Sequence, residues 1–459
     1  MKPTDIPGLL TKQNVFFNSR ATLPVNYRID KLKQLKKAIQ KYEREILDAL
    51  YADLGKSEFE AFSGEVGLSV REISFHIRNL KKWSKPKRVS TPLFLFPSKS
   101  CICKQPYGKV LIMVPFNYPL MLAIIPLVGA ISAGNVAIIK PSELTAKTTV
   151  VINKIISETF NPEHVAVVQG GVEVGRELLA QRWDMIFFTG SLPVGKMVME
   201  AAAKNLTPVV LELGGKNPVV VDKDAHLETA AKRIIWGKMF NAGQSCVAPD
   251  YLLVNEEIRE EFLKLLKKAI VQMYTENPKE SKDFARIINE KAIDRLVKIT
   301  ENETIYTGGE SDRKENYFAP TIITDVNADS PLMQEEIFGP VLPVISFNEL
   351  DDAIHHINSA EKPLVAYFFS ENKKKQRKFL DSTSSGDACI NEVVVHFTNF
   401  SLPFGGIGYS GMGKYQGKYS FEAFSHRRSV MKTTTRFDIP FRYPPIKKYV
   451  LKAIRQVFR

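Results

Sequence analysis

From Val110 to Ile139 the chain runs thirty residues without a charged side chain. A stretch of that length could cross a bilayer, for which a helix of about 20 apolar residues suffices. Pro115, Pro119, Pro126, Gly129 and Gly134 interrupt it, and proline inside a helix removes a hydrogen bond and crowds the preceding turn. The apolar runs Val110–Val114 and Val136–Ile139 fit central parallel strands buried on both faces. A loop and a short helix join them. The chain is therefore expected to build an α/β fold around parallel sheets.

The rhythm beyond this stretch agrees. Strand signals recur at Lys109–Val114, Val136–Lys140, Val165–Gln169, Met185–Thr189 and Pro208–Leu213, with helical spacing at Thr145–Thr159, Val174–Ala180 and Val194–Lys204. Alternation of this kind places helices on the faces of a parallel sheet. After Gly215 the pattern restarts: strand Pro218–Val221, helix Leu227–Asn241, strand Tyr251–Asn255, helix Glu257–Tyr274, then strands Val365–Phe369 and Ala388–Asn391. The restart marks a domain boundary, and 459 residues are too many for one ordinary core. The first 80 residues read as helices, over Lys31–Leu54 and Glu65–Leu80. Residues 84–105 are rich in Pro, Lys and Ser and then alternate, which suggests an edge hairpin.

Cys246 stands in the loop Phe240-Asn241-Ala242-Gly243-Gln244-Ser245-Cys246-Val247-Ala248-Pro249-Asp250, and Glu212 lies 34 positions earlier in Leu211-Glu212-Leu213-Gly214-Gly215-Lys216-Asn217-Pro218. A thiol loop and a carboxylate loop facing each other across an interdomain cleft suit covalent catalysis followed by hydrolysis. The thiolate attacks, and the carboxylate later activates water. A cysteine by itself is more often a small buried hydrophobe, so the setting carries the assignment. With four cysteines there is no disulfide framework, and Cys101-x-Cys103 lacks the second pair of a zinc site. No metal is expected. A reducing, cytoplasmic compartment suits a working thiol, and the first ten residues contain no apolar signal-peptide core.

Five separated segments resemble the aldehyde dehydrogenase superfamily: Val114-Pro115-Phe116-Asn117-Tyr118-Pro119, Lys140-Pro141-Ser142-Glu143, Phe188-Thr189-Gly190-Ser191, the Glu212 and Cys246 loops as a pair, and Glu335-Glu336-Ile337-Phe338-Gly339-Pro340. Their order and spacing match over nearly the whole chain. Within the superfamily the chain looks most like the class 3 group, which acts on fatty and aromatic aldehydes. That likeness rests on the short N-terminus, Asn241–Tyr251, the run from Pro403-Phe404-Gly405-Gly406-Ile407-Gly408 through Phe421–Arg428, and Arg442-Tyr443-Pro444-Pro445.

The resemblance implies a role for each matching residue. Cys246 attacks the aldehyde, the Asn117 side chain and the Cys246 backbone N–H face the oxyanion, and Glu212 activates water against the thioester. NAD is the implied cofactor, with NADP also open. There is no G-x-G-x-x-G; Gly190-Ser191 and Gly195 take its place at a helix N-terminus, where free N–H groups favour a pyrophosphate. Lys140 and Glu143 hold the adenosine ribose, and the Glu143 charge favours NAD over a 2′-phosphate. Glu336 holds the nicotinamide ribose and Phe338 packs near the ring. Pro115, Phe116, Leu213 and Gly214 are assigned to cofactor binding on the same likeness. Phe116 stands where the family often has Trp, and Pro193 falls inside the Gly190–Gly195 turn.

The implied architecture is two Rossmann-like domains, a cofactor domain (1–83 and 106–212) and a catalytic domain (213–391). A small β oligomerisation arm (84–105 and 392–430) and a basic tail (431–459) complete it. The family's arm pairs between subunits, which implies a homodimer. The substrate expected is a medium or long aliphatic, or aromatic, aldehyde, given Phe116, Tyr118, Phe397 and Phe400 near the proposed site. The rival readings are a CoA-acylating or acyl-reducing relative, against which Glu212 speaks, and a non-catalytic binding protein on the same fold.

The net charge is +13, yet Arg427–Arg459 alone holds ten Lys or Arg and one Asp. The rest is nearly balanced, which argues against a nucleic-acid surface. Within 446–459, Ile446, Tyr449, Val450, Ala453, Ile454, Val457 and Phe458 share one helical face, and Lys447, Lys448, Lys452, Arg455 and Arg459 fill the other. Such a helix either docks on the protein or makes peripheral contact with an anionic membrane. It is too short and too charged to span one.

Overall fold

The computed structural model describes residues 5–327, 329–438, 443–446 and 448–457, with backbone only at 453, 456 and 457. Arg442, Lys447, Phe458 and Arg459, and the side chains of Ala453 and Val457, lie outside the described residues. The chain forms two compact units, Met1–Trp83 with Pro106–His426, and Ser84–Gln105 with Arg427–Arg459.

The larger unit holds two sheets that are mostly parallel. In the first, the strand order is Gly411–Met412, Val209–Leu213, Met185–Gly190, Lys109–Met113, Val136–Lys140, Val165–Val167. All pairs are parallel except Gly411–Met412, which runs antiparallel with Gly411 opposite Glu212. The chain moves outward from Lys109–Met113 to one side, then returns to fill the other. The order therefore reverses between Lys109–Met113 and Met185–Gly190, and ligands of such sheets bind beyond the carboxyl ends at that point. The uncharged stretch resolves as expected, except that its helix is a full fifteen residues, Pro119–Ala133, every one of them buried. Burial all round removes any need for a polar face. Gly134, at φ +95°, closes the helix, its N–H donating to Ala130 O and Ile131 O.

The second sheet has seven strands in the order Thr304–Thr307, Thr321–Thr324, Val341–Phe347, Tyr251–Asn255, Pro218–Val221, Val365–Phe369, Asp387–Ile390. Only the Thr304–Thr307 edge is antiparallel. In the N-terminal region the spacing over Lys31–Leu54 predicts one helix, but Tyr42 divides it into Val25–Lys41 and Glu43–Leu54. A π-helical turn, Phe62–Val66, leads into the helix Gly67–Trp83.

In the smaller unit Lys87–Val89 pairs antiparallel with Lys99–Pro106, as the alternation suggests. Lys99–Pro106 is not an edge, however, because Ser425–Lys432 flanks its other side. The tail forms the helix Lys448–Val457. Among the described residues no helix is long and apolar enough to cross a membrane.

Candidate active site

The first sheet delivers its candidate residues from strand ends. Pro115, Phe116 and Asn117 follow Lys109–Met113, Lys140 ends Val136–Lys140, Gly190 ends Met185–Gly190, and Glu212 and Leu213 end Val209–Leu213. These are the carboxyl ends at the switch point. The second sheet contributes its amino ends: Asn217 precedes Pro218–Val221, Asp250 precedes Tyr251–Asn255, and Glu336 and Phe338 precede Val341–Phe347.

The Cys246 loop is held in a strained path. Asn241, Ala242 and Gly243 take φ values of +53°, +49° and +74° in succession, a conformation costing about 1–2 kcal/mol for each non-glycine residue. A Cβ on Gly243 would lie 2.2 Å from Gly339 O, so only glycine fits. The buried Glu60 carboxylate accepts the Asn241 N–H. Gln244 donates to Asn241 O (3.1 Å) and Arg286 O (2.9 Å) and accepts from the Ile288 N–H (2.9 Å). Asn217 Nδ2 donates to Cys246 O (2.7 Å) and Ala248 O (3.0 Å), and the Tyr367 hydroxyl to Val247 O (2.6 Å). The nucleophile's backbone is thus tied on both sides.

Cys246 itself is half-buried. Burial pushes its thiol up to about 12, with the Glu336 and Glu212 carboxylates adding and the Cys246 and Val247 backbone N–H groups opposing. At neutral pH the sulfur rests protonated, so attack needs a base beside it. Glu212 is 4% exposed, and neither carboxyl oxygen has a hydrogen-bond partner among the described residues. Burial holds its carboxyl well above the usual carboxylate range; Lys414 opposes this and Asp387 adds to it. A buried carboxyl with both oxygens free has room to receive a proton from the thiol or from water.

Asn117 is fixed by an ion pair that the sequence reading missed. Lys56 and Glu65, both fully buried, pair at 2.6 Å. Lys56 also donates to Asn117 O (2.7 Å) and lies 4.1 Å over the Tyr118 ring. The other Glu65 oxygen accepts the Leu120 and Met121 N–H groups at 2.8 and 3.3 Å, capping the Pro119–Ala133 helix. The Asn117 amide donates to Gln244 O at 3.1 Å, which leaves its second hydrogen available. Asn241 Nδ2 bridges Asn117 O and Gln244 O. The oxyanion candidate and the nucleophile loop are therefore stitched together.

The cofactor candidates fit a dinucleotide. Ser191 starts the helix Leu192–Ala203, no side chain caps that end, and Pro193 sits in its first turn, so the N-terminal N–H groups suit a phosphate. A Cβ on Gly195 would lie 2.7 Å from the Leu213 side chain, so glycine lets this helix close on the strand end. Lys140 donates to Glu143 at 2.9 Å. The Glu336 carboxyl lies over Gly214, and burial lifts it to about 8; Asp250 adds to this, while the Gly215 backbone and the nearby lysines oppose it. Its Oε1 has no partner among the described residues. Phe338, at φ +48°, packs edge-on to Phe116 with centroids 5.8 Å apart.

Tyr118 stacks with Phe240 (6.4 Å), and Phe240 packs on Trp236 (5.4 Å), making an aromatic wall beside the Cys246 loop. Phe400 is different: it is buried against Phe75 and under Arg71, in the core. Phe397 packs on Phe404. Tyr415 is buried where both Glu212 and Cys246 act on it. Lys414, Tyr415 and Trp236 carry no local signal of a site: Trp236 sits in the helix Leu227–Met239, and Lys414 and Tyr415 follow the short strand Gly411–Met412.

A family-wide model described as the aldehyde dehydrogenase family matches residues 9–430. The chain is 47% identical over 440 residues to the 4,4'-diaponeurosporen-aldehyde dehydrogenase of Staphylococcus aureus, covering 95% of this chain and 96% of that protein. It is 46% identical over 431 residues to aldehyde dehydrogenase family 3 member A2 of Macaca fascicularis, covering 94% and 89%. Among solved structures, the substrate-bound state of Staphylococcus aureus AldH superposes with a TM-score of 0.96 at 44% identity over 99% of both chains. An indole-3-acetaldehyde dehydrogenase in complex with NAD+ superposes at 0.85 with 26% identity, covering 93% and 88%.

Proposed function

The chain belongs to the aldehyde dehydrogenase family, and on that premise we propose that Cys246 is its nucleophile, Glu212 its base and Asn117 half of its oxyanion-stabilising pair. The chain is an NAD(P)-dependent oxidoreductase that converts aldehydes to carboxylic acids. The observation that carries the site assignment is Glu212, buried, with both oxygens unpartnered among the described residues, and acting on the Cys246 sulfur.

The thiol proton leaves for a carboxylate, and the sulfur adds to the aldehyde carbon as the carbonyl electrons move to oxygen. The free Asn117 Nδ2 hydrogen and the Cys246 backbone N–H face that oxyanion; losing one such donor typically costs about 3–4 kcal/mol. NAD(P)+, when bound, supplies the two-electron acceptor that turns the thiohemiacetal into a thioester. Glu212 releases the thiol proton to solvent and then takes a proton from water as the water oxygen adds to the thioester carbonyl. Collapse breaks the carbon–sulfur bond, releases the acid and restores Cys246. Lys140 and Glu143 would hold the adenosine ribose, Gly190, Ser191 and Gly195 the pyrophosphate, and Glu336 the nicotinamide ribose. Pro115, Phe116, Leu213, Gly214 and Phe338 would line the rest. The Glu143 charge favours NAD.

The substrate is a medium or long aliphatic, or aromatic, aldehyde, for which the Tyr118–Phe240–Trp236 wall provides apolar contact. The Staphylococcus aureus relative, named 4,4'-diaponeurosporen-aldehyde dehydrogenase, supports an aldehyde as the substrate. Rates with propanal, octanal and hexadecanal, read as NAD(P)H absorbance with either cofactor, test it. Each methylene buried is worth about 0.8 kcal/mol, ~4-fold in kcat/KM. A flat or falling series refutes the apolar channel.

The proposal extends to a cofactor domain over 1–83 and 106–212, a catalytic domain over 213–391, and an arm over 84–105 and 392–430 that pairs two copies into a homodimer. The tail from 446 makes peripheral contact with an anionic membrane in a cytoplasmic enzyme. On the apolar face of its helix, Tyr449 and Ile454 are exposed and Val450 is buried. Removing the residues after Pro445 should abolish co-sedimentation with anionic liposomes, and unchanged binding contradicts the membrane role.

A further inference from the structure

Glu212 has two charged neighbours, and both come from parts of the chain remote from it in sequence. Lys414 follows the short strand Gly411–Met412, whose Gly411 pairs with Glu212. Its ammonium donates to Gly386 O (2.9 Å), to Gly405 O and to Asp387 Oδ1 (3.4 Å). Those are all three of its hydrogens. The charge is therefore pinned without bonding Glu212, whose oxygens have no hydrogen-bond partner among the described residues. Gly405 marks how close the two side chains come. A Cβ there would lie 2.7 Å from Glu212 Oε1 and 3.2 Å from Lys414 Cδ, so these atoms are within about 6 Å of each other. Asp387 is the opposing charge. Its Oδ2 has no hydrogen-bond partner among the described residues, and His396 Nε2 stands 3.6 Å from it.

We infer that the Lys414–Asp387 pair sets the protonation of Glu212: Lys414 is a fixed cation that favours the carboxylate, and Asp387 is the counter-charge that limits it. Both are positioning residues. The inference rests on the reading of Glu212 as the water-activating base. The other titratable groups facing Glu212 are Cys246 and Tyr415, and His396 faces Asp387. Burial alone pushes Glu212 upward, Lys414 opposes that and Asp387 reinforces it. Neutralising the two members should therefore shift the hydrolytic step in opposite directions, which a purely structural pair would not do.

The step can be isolated without cofactor. With 4-nitrophenyl acetate the Cys246 thiolate displaces 4-nitrophenolate and becomes acetyl-Cys246. Water deprotonated by Glu212 then releases acetate and the thiol. Decay of the acetyl adduct, followed by intact-protein mass across pH, reads deacylation directly. Lys414→Met should move the midpoint of the rising limb up by about one pH unit, slowing deacylation ~10-fold below it. Asp387→Asn should move the midpoint down, and Lys414→Arg should leave it near that of the unaltered protein. Unmoved midpoints, or shifts of the same sign, overturn the inference. If Lys414→Met fails to fold, the direction of the Asp387→Asn shift decides. Glu212→Gln separates the two levels: a rising limb that survives it removes Glu212 as the base, whereas its loss alongside unmoved Lys414 and Asp387 variants removes only the charge pair.

Discussion

Replacing Gly214 by alanine should disable the cofactor side of the site while leaving the nucleophile intact. Gly214 follows the strand that carries Glu212, and the Glu336 carboxyl lies against its α-carbon. A methyl group there would stand 1.9 Å from Glu336 Oε2 and 2.5 Å from the carboxyl carbon. Ordinary contact begins near 3.4 Å, so the carboxylate must retreat by about 1.5 Å. The backbone at Gly214 is outside the left-handed region, so alanine adds no strain of its own. If Glu336 merely leaves its rotamer, the cost is about 0.5–1.5 kcal/mol, ~2- to 10-fold. If the group it positions follows, a misplacement of about 1 Å is worth ~10²-fold. Initial rates against NAD+ at saturating octanal should therefore show kcat/KM for NAD+ down by ~10²-fold. Alkylation of Cys246 by iodoacetamide should persist, its rate changed only as far as the Glu336 charge that raises the thiol is displaced. A kcat/KM for NAD+ within twofold of the original would refute the assignment of Glu336 to the cofactor.

Two further outcomes follow from the buried charges. Lys56→Met leaves Glu65 as an unpaired buried carboxylate and should cost about 3–5 kcal/mol in urea denaturation; a loss under 1 kcal/mol would mean that the pair does not anchor Asn117. Glu212 has a folded-state pKa raised above its unfolded value, so the folded protein binds its proton more tightly. Stability contributed by the protonated form is then lost as pH rises from about 4.5 through the folded value. Glu212→Gln removes that loss, so its urea midpoint should exceed that of the unaltered protein more at about pH 8 than at about pH 5. An equal difference at both would show that Glu212 is not held protonated by burial.

Fold and site were legible to different degrees for physical reasons. Val136–Lys140 is readable because all five residues are buried, and its first four, Val136–Ile139, form an unbroken apolar run. Val341–Phe347 is a central strand of the second sheet, yet it contains Pro343, paired in register with Ile323. Proline normally marks an edge, so local pattern points away from the truth. Thr304–Thr307 and Thr321–Thr324 are four residues each, too short to show a period of their own. In the site, Cys246 and Asn117 stand in glycine- and proline-marked loops, and Glu212 ends a strand two residues before Gly214, so their chemistry is local. Lys56–Glu65 and Lys414–Asp387 are not legible, because a lysine in a sequence is expected on a solvated face. Lys56 is 1% exposed only because the Asn117 carbonyl, the Tyr118 ring and Glu65 converge on it. Phe400, whose aromatic character suggests the channel, is buried, with the half-buried Phe75 and the exposed Arg71 packed on it.

The most direct test of the central claim uses Glu212→Gln incubated with NAD+ and octanal, then digested and analysed by peptide mass spectrometry. With attack intact and hydrolysis disabled, an octanoyl group should accumulate on the peptide containing Cys246, and Cys246→Ala should neither carry it nor turn over. An acyl group on another residue, or dehydrogenase activity that survives Cys246→Ala, would contradict the account.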